Sequence, residues 1–442
     1  MIKKILILIL VAGFILGGVV FSNIFESSNE AKVFDININY LENLVVKDGD
    51  KFLATTLSES PDVLKEKLIE TNFVQLELDK YPLFEKPFFI TYDDKNSKIY
   101  AVNRDDRSIS KISFDASYKN PIVEKFISIP TNNSIKDIYV LDISYDNEKI
   151  YISSVNKKSK NDDCYYLILY VYDLNTKVWK DIFKSNPCIA KGAFHTLGGR
   201  IAHNSENIYL SGGNYFAFEW FPYTFDNPTN ISNKDNNNSA FSKLISSTNF
   251  FGSIVQINKK TNISKKISYG HRNPGGLFWD KYRNILWETE HGPRGGDELN
   301  IIKKDKNYGW PNVSYGKSYG TRYRKEFLVD FKTKYNTHFG FEQPSFSWMP
   351  SIGISQLGVI KSNGKFSQYW NNNDLIISSL KDKSLYRTRI KNQNVAYSER
   401  IHIGERIRSL VVSEDIIFIS ADNGSLITIR PSENPLTEGS FP

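Results

Sequence analysis

Cysteine is nearly absent: two in 442 residues, too few for a disulfide scaffold or a cysteine-rich zinc site. A dominant charge is lacking too. Lys and Arg total 56 and Asp and Glu 49, a net +7 scattered without a basic block, so the chain carries no nucleic-acid footprint. Helix signals are few, and one long apolar run occurs. Aromatic residues, by contrast, abound, with 7 Trp, 25 Tyr and 29 Phe. That bulk excludes disorder, collagen and coiled coil, and it supplies a core that an all-β architecture can keep in one domain.

The apolar run comes first. Lys3 and Lys4 precede Ile5 to Phe25, 21 residues without a charge, and at ~1.5 Å per residue such a run crosses a ~30 Å hydrocarbon core. A clean cleavage site is missing, and no cysteine follows to carry a lipid. The lysines keep the N-terminus inside. The expectation is an extracytoplasmic, periplasmic-face body anchored to the inner membrane by residues 5–25, or secreted if that segment is cleaved. In that compartment Cys164 and Cys188, which bracket two strand-like runs around the turn Asp173-Leu174-Asn175-Thr176, have two readings. One is a disulfide across the hairpin base; the other is two unpaired small apolar residues.

Six stretches share one outline, an alternating strand, a polar turn and a second strand: ITYDDKNSKIYAVNR, ISYDNEKIYISSVN, RIAHNSENIYLSGGN, LFWDKYRNILWETEHG, FSQYWNNNDLIISSLK and VVSEDIIFISADNG. Aligned on Tyr100, Tyr151, Tyr209, Trp287, Ile376 and Ile417, they recur at 51, 58, 78, 89 and 41 residues. Such spacing predicts an all-β, six-bladed β-propeller, with a pair of β-sandwiches as the alternative. The expected organisation is anchor 1–25, stalk or decoration 26–82, propeller 83–432 and tail 433–442. Within the stalk, SPDVLKEKLIE reads as a helix, with Ser60 as N-cap and Pro61 at the first helical position. Pro222 to Asn249, rich in Asn, Ser and Asp, reads as a long loop.

Chemistry concentrates between Gly270 and Gly320. Glu290-His291-Gly292-Pro293-Arg294-Gly295-Gly296-Asp297-Glu298 packs three acids and three glycines into nine residues. Hard cations such as Ca²⁺ take carboxylate and carbonyl oxygens on sharply bent loops, which glycine permits. A solvated turn between blades fits the same residues.

GHRNPGG, EHGPRGGDELN and NYGWP, in this order, with FHTLGGRIA upstream and GFEQPSFSW, SSLKDKS and GERIRSL downstream, resemble the pyrroloquinoline quinone (PQQ)-dependent glucose/sorbosone dehydrogenases, the soluble aldose sugar dehydrogenases. Several motifs in register make the resemblance specific. It implies a six-bladed propeller, in agreement with the repeat count. It also implies PQQ held by Arg272, Asn273, Lys381, Arg406 and Arg408, and Ca²⁺ at the carbonyls of Gly292 and Pro293. A second, structural Ca²⁺ falls on Glu298 and the carbonyl of Tyr308. His195 matches the family's general base, removing the C1 hydroxyl proton of an aldose as hydride passes to the quinone, with Arg272 stabilising the developing charge; the product is the lactone. The implied partners are the small-molecule sugar, an electron acceptor of unknown identity and the membrane, with homodimer formation left open. Four departures stand out. Gly275 replaces the family's Gln, Asn214 replaces its Asp, Thr196 and Leu197 make the step from His195 to Gly198-Gly199-Arg200 one residue longer than the commonest spacing, and no early cofactor-side Gln motif is recognisable between 83 and 130. The competing reading is a non-catalytic, calcium-stabilised propeller that binds a glycan or protein.

Overall fold

Short runs of β-branched and aromatic residues, broken by Asp, Asn and Gly, become strands in the computed structural model. The structure describes residues 67–432 apart from 72, 105–106, 131–137, 158–164, 187, 189–195, 215–249, 311–312, 317–337 and 339. Two strands, β1 (Lys67–Glu70) and β2 (Gln75–Pro82), precede the first blade. That blade is β3 (Phe88–Asp93), β4 (Lys98–Asn103), β5 (Ser108–Ser113) and β6 (Ile122–Ser128). Blade two is β7 (Ile138–Asp146), β8 (Lys149–Lys157), β9 (Tyr165–Asp173) and β10 (Val178–Lys184). Blade three is β11 (Gly198–His203), β12 (Asn207–Gly212), β13 (Ser253–Asn258) and β14 (Ser264–Tyr269). Blade four is β15 (Pro274–Asp280), β16 (Ile285–Glu290), β17 (Asp297–Ile301) and, at its edge, β19 (Phe346–Trp348). Between the last two, β18 (Lys306–Asn307) returns to pair in parallel with β14. Blade five is β20 (Ile354–Val359), β21 (Leu375–Ser379), β22 (Ser384–Lys391) and β23 (Asn394–His402), and blade six begins with β24 (Ile407–Val412), β25 (Ile417–Ala421) and β26 (Ser425–Pro431).

The innermost strands β3, β7, β11, β15, β20 and β24 contact one another in sequence, and β24 closes on β3. The fold is a six-bladed β-propeller. Tyr100, Tyr151, Tyr209, Trp287, Ile376 and Ile417 all lie on the second strands of their blades, so the repeat read in the sequence is the blade. Aspartate shapes the first hairpins: Asp93 Oδ1 accepts from the Lys95 and Asn96 N–H groups at 3.1 and 3.2 Å, and Asp280 does the same for Tyr282 and Arg283. Core packs between blades. Trp287, fully buried, meets Ile354, Leu357 and Tyr386 across the blade four–five boundary, and burying a side chain of this kind contributes roughly 1.5–3 kcal/mol.

Two expectations change. The propeller does not start at residue 83, because β2 pairs with β26 from Leu76–Pro431 to Pro82–Ser425. Blade six therefore takes strands from both ends of the described chain, which covers the edge that β26 would otherwise expose. Leu76 and Leu78, two apart and buried, drive the docking. Nor does SPDVLKEKLIE end as a helix: Lys67–Glu70 is β1, paired with β2, where strand pairing outweighs local helix propensity, while residues 60–66 lie outside the described ones. The anchor segment 1–25, the loop 222–249 and the tail 433–442 also lie outside them. No helix among the described residues is long and apolar enough to cross a membrane.

Cys188 is disulfide-bonded; Cys164, the chain's other cysteine, is not among the described residues. A bulge at Asp181/Phe183 shifts the β9–β10 register. Beyond it, Leu169–Phe183 and Ile168–Lys184 keep the same index sum as positions 164 and 188.

The topology also sets where function can gather. The second strand of each blade runs antiparallel to the first, so residues that follow β4, β21 and β25 share one end of the propeller with residues that precede β15 and β24. Arg104, Lys381, Asp422, Arg272 and Arg406 occupy those positions.

Candidate cofactor and cation sites

Arg272, on the β14–β15 connection, is buried and tightly held. Its Nη1 donates to the carbonyls of His291 at 2.9 Å and Gly292 at 3.2 Å. Its guanidinium lies 5.2 Å from the Trp310 ring, and its backbone N–H donates to Glu290 Oε1. Asn214, the departure from the family's Asp, donates its N–H to the Arg272 carbonyl at 2.7 Å, so it supports this residue from blade three. The departure at 275 has a steric side: a Cβ there would stand 2.8 Å from the Ile354 carbonyl oxygen, which leaves no room for glutamine.

Further cations meet at the same end. Arg408 makes a two-pronged contact with Asp422 at 2.8 and 2.9 Å, and Arg406 reaches the same carboxylate at 3.0 Å. Arg406 lies just outside β24, and a bulge between Ile407 and Ser409 sits at Arg408, yet both side chains reach the one carboxylate. Arg406 Nη1 also donates to the Leu380 carbonyl at 3.4 Å, beside exposed Lys381. Arg200 is buried on β11, 3.5 Å from Asp142, and lies over the Phe89 ring. Arg104 lies over Phe89 and Tyr139. These groups feel one another. Burial, outweighing the pull of Asp297 and joined by the charges of Arg272, Arg408 and Arg200, pushes the His291 imidazole down to about 4. Burial and the charges of Arg408 and Arg200 push Arg104 down to about 10. Four guanidinium groups (Arg104, Arg200, Arg272 and Arg408) face two carboxylates, Asp142 and Asp422, a balance that suits a ligand with several carboxylates.

Next to this region is its electrostatic opposite. Glu288 and Glu290 on β16 stand opposite Asn300 and Glu298 on β17, so period-2 alternation turns all four to one face, and all four are buried. One ligand atom from each of His271, Glu288 and Glu290 lies within 4.8 Å of the others. Asn300 Nδ2 donates to Glu288 at 3.0 Å and Glu298 at 3.3 Å, and His338 Nε2 stands 3.4 Å from Glu298. Burial, reinforced by the charge on Glu290, pushes the Glu288 and Glu298 carboxyls well above their ordinary range. Glu288 Oε1, Asn300 Oδ1 and His338 Nδ1 are buried without a hydrogen-bond partner. Glu290, Glu298, Tyr308 and His338 line a cavity of about 10 Å³, room for one water-sized occupant. Oxygen-rich, anionic and partly unsatisfied, this donor set fits a hard cation.

Sequence and structure agree on some positions and part on others. Arg272, Arg406 and Arg408 gather at one end. Asn273 is half-buried beside Arg272, its carbonyl accepting from the His291 N–H at 3.0 Å. Glu298 and Tyr308 share a cavity. The Gly292 carbonyl, expected on Ca²⁺, instead accepts from Arg272, because the turn places it within reach of that guanidinium. The same turn leaves no space for a side chain: a Cβ at Gly292 would meet the Gly295 and Gly296 carbonyl oxygens at 2.1 and 2.4 Å. Pro293 is buried in that turn. Asp297 is structural, accepting from Gly292, Ser351 and Ile354. His195 lies outside the described residues; the buried pair Thr196–Leu197 follows it. Sequence reasoning missed Glu288, His271, Arg104 and Arg200. The first was readable, since W-E-T-E followed by E-L-N in paired strands presents four polar residues on one face.

Comparison with known proteins follows from this geometry. The family model described as Glucose / Sorbosone dehydrogenase matches residues 106–428. Aldose sugar dehydrogenase YliI of Escherichia coli (strain K12) is 37% identical over 169 residues, 37% of this chain and 43% of that protein; the match spans less than half of that relative's length. Quinoprotein glucose dehydrogenase B of Acinetobacter calcoaceticus is 24% identical over 336 residues, 62% of this chain and 70% of that one. Among solved structures, the apo form of the soluble aldose sugar dehydrogenase from Escherichia coli aligns over 80% of this chain and 100% of its own, with TM-score 0.60 at 21% identity. The PQQ-bound aldose sugar dehydrogenase from Streptomyces coelicolor covers 85% of this chain and 100% of its own, with TM-score 0.53 at 17% identity. At such identities the structural likeness bears on fold alone. The family match spans most of the propeller, and the chain belongs to the glucose/sorbosone dehydrogenase family.

Proposed function

We propose that the protein is a quinoprotein that oxidises an aldose at its C1 hydroxyl, working outside the cytoplasm and passing electrons to a separate acceptor. The observation that carries this reading is the set of guanidinium groups with Arg272 on the His291 carbonyl, Arg104 and Arg200 over one ring and Arg406 and Arg408 on one carboxylate, in a chain of this family. A neutral sugar has no use for so many buried cations, whereas a cofactor with several carboxylates does. When bound, PQQ supplies a two-electron acceptor.

The chain's own residues would do the rest. His195 is assigned the general base: a neutral imidazole takes the C1 hydroxyl proton near pH 7. Arg272, fixed by the His291 and Gly292 carbonyls and the Trp310 ring, keeps a positive charge where negative charge develops, with little reorganisation. Asn273, Lys381, Arg406 and Arg408 would hold the cofactor. Ca²⁺ is assigned to the buried acidic cluster, with Glu288 and Glu290 beside His271 and Glu298 across the strand pair as carboxylate ligands. The Gly292 carbonyl stays with Arg272, so the acidic cluster is the cation position of this reading.

The test uses the full chain, purified in detergent, with PQQ and Ca²⁺ added and a panel of aldoses followed by dye reduction. Turnover that needs both additions is the expected result, and His195→Ala should abolish it while PQQ binding stays nearly intact. No PQQ binding by the unaltered chain would sink the proposal and leave a propeller that binds something else.

A further inference from the structure

Arg104 comes from blade one, where the family resemblance supplies no cofactor residue. It directly follows β4, at the propeller end that also carries Lys381, Asp422 and Arg272. Its guanidinium lies 5.5 Å from the Phe89 ring centroid and 5.0 Å from that of Tyr139. Arg200 lies over the same Phe89 ring at 5.0 Å.

What sets Arg104 apart is the lack of an oxygen partner. Arg200 has Asp142 and the Leu141 carbonyl. Arg272 has two carbonyls, and Arg406 and Arg408 share Asp422. No carboxylate among the described residues pairs with Arg104, and its Nε is buried without a hydrogen-bond partner. Two aromatic faces hold the plane of the guanidinium but satisfy none of the five donors on its edge. A partly buried cation with an unsatisfied Nε gains from an anion that completes it. Burial and the neighbouring charges of Arg408 and Arg200 depress it to about 10, which an added anion would reverse.

We infer that Arg104 binds a carboxylate of the cofactor, closing the site from the blade-one side. The inference rests on the quinoprotein reading above. The cofactor is preferred over the substrate because Arg104 belongs to the same group as Arg408, a matched cofactor position, and because a neutral aldose brings no anion to a guanidinium.

The experiment is an equilibrium titration of the full chain with PQQ at fixed Ca²⁺, read by tryptophan fluorescence, alongside melting of the cofactor-free protein. Arg104→Gln should weaken PQQ roughly 10- to 100-fold, the range for losing one charge-assisted contact, with the cofactor-free melting point unchanged. Arg104→Lys should fall between the two. PQQ with its carboxylates esterified should bind the unaltered chain and Arg104→Gln alike. Should Arg104→Gln melt early, Arg104→Met, whose apolar stem still packs on Phe89 and Tyr139, becomes the deciding variant. Equal PQQ affinity in the variant and the unaltered chain overturns the inference and leaves the quinoprotein reading standing. So does unchanged PQQ affinity with a raised KM for an acidic sugar, which moves Arg104 to the substrate. Failure of the unaltered chain to bind PQQ removes the quinoprotein reading and this inference together.

Discussion

Arg104 and Arg387 are both guanidinium groups laid over aromatic rings, each with one buried nitrogen that lacks a partner; Arg387 is the more deeply buried, and they part in the acids that face them. Arg387, on β22 and fully buried, meets the rings of Phe73, Trp370 and Tyr397 at 5.1 to 5.3 Å. It also bonds Glu399 at 2.7 Å and Asp374 at 3.2 Å. Its charge is matched inside the fold, so it ties Phe73, in the β1–β2 turn, to blade five. Arg104 has the rings without the acids. Burial of a charge therefore does not mark function here; what marks it is charge that the fold leaves uncompensated. The buried acidic cluster of Glu288, Glu290 and Glu298 is the same case with the sign reversed.

The sharpest way to break this comparison is at its matched end. Arg387→Ala leaves Asp374 and Glu399 buried against fewer cations, and breaking such a group costs about 3–5 kcal/mol. Urea unfolding should register that loss while PQQ affinity is unchanged; a fall in affinity at equal stability would erase the distinction between the two arginines. The next effect concerns the acidic cavity. A ligand at 100 times its Kd stabilises the folded state by about 3 kcal/mol, so Ca²⁺ should raise the melting point and a chelator should reverse the gain. Glu288→Gln, which keeps the shape but cannot ionise to meet a cation, should lose most of the Ca²⁺ response. A melting point indifferent to Ca²⁺ in the unaltered chain would return the cavity to the matched, structural class.

How much of this was legible in the sequence follows the same division. The blades were, because each repeats a strand, a polar turn and a second strand, and those signals are local. The closing strand β2 was not: nothing within Gln75–Pro82 says that its partner is β26, at the far end of the described chain. Arg272, Arg406 and Arg408 were legible because they sit in short motifs. Arg104 was not, since what singles it out is a ring, Phe89, that folding brings between it and Arg200; Arg200 lies in the FHTLGGRIA motif, but its buried pairing with Asp142 does not show there. His271 likewise gains its role only from Glu290, 3.1 Å away and nineteen positions on.

The smallest predicted effect sets Asp142, beside Arg200, against Asp422, beside Arg408. Burial raises Asp422, but bonds and charge from Arg408 and Arg406 outweigh it and hold the carboxyl below its ordinary value. For Asp142 burial wins over the charge of Arg200, at 3.5 Å, and the carboxyl rises from 3.8 to about 6. The two acids should thus pull stability in opposite directions. A carboxyl raised on folding binds its proton more tightly in the folded state. The stability it contributes is complete below about pH 4 and is lost as pH rises through about 6. At roughly 1.4 kcal/mol per unit, the loss is on the order of 2 kcal/mol. Asp142→Asn removes the titration, so the difference in urea midpoint between variant and unaltered chain should shift in the variant's favour between pH 4 and 6 and level off above. A difference that moves the other way would mean that Arg200 fully compensates Asp142, as Arg408 does Asp422, and that Arg200 belongs with the matched charges rather than with the cofactor group.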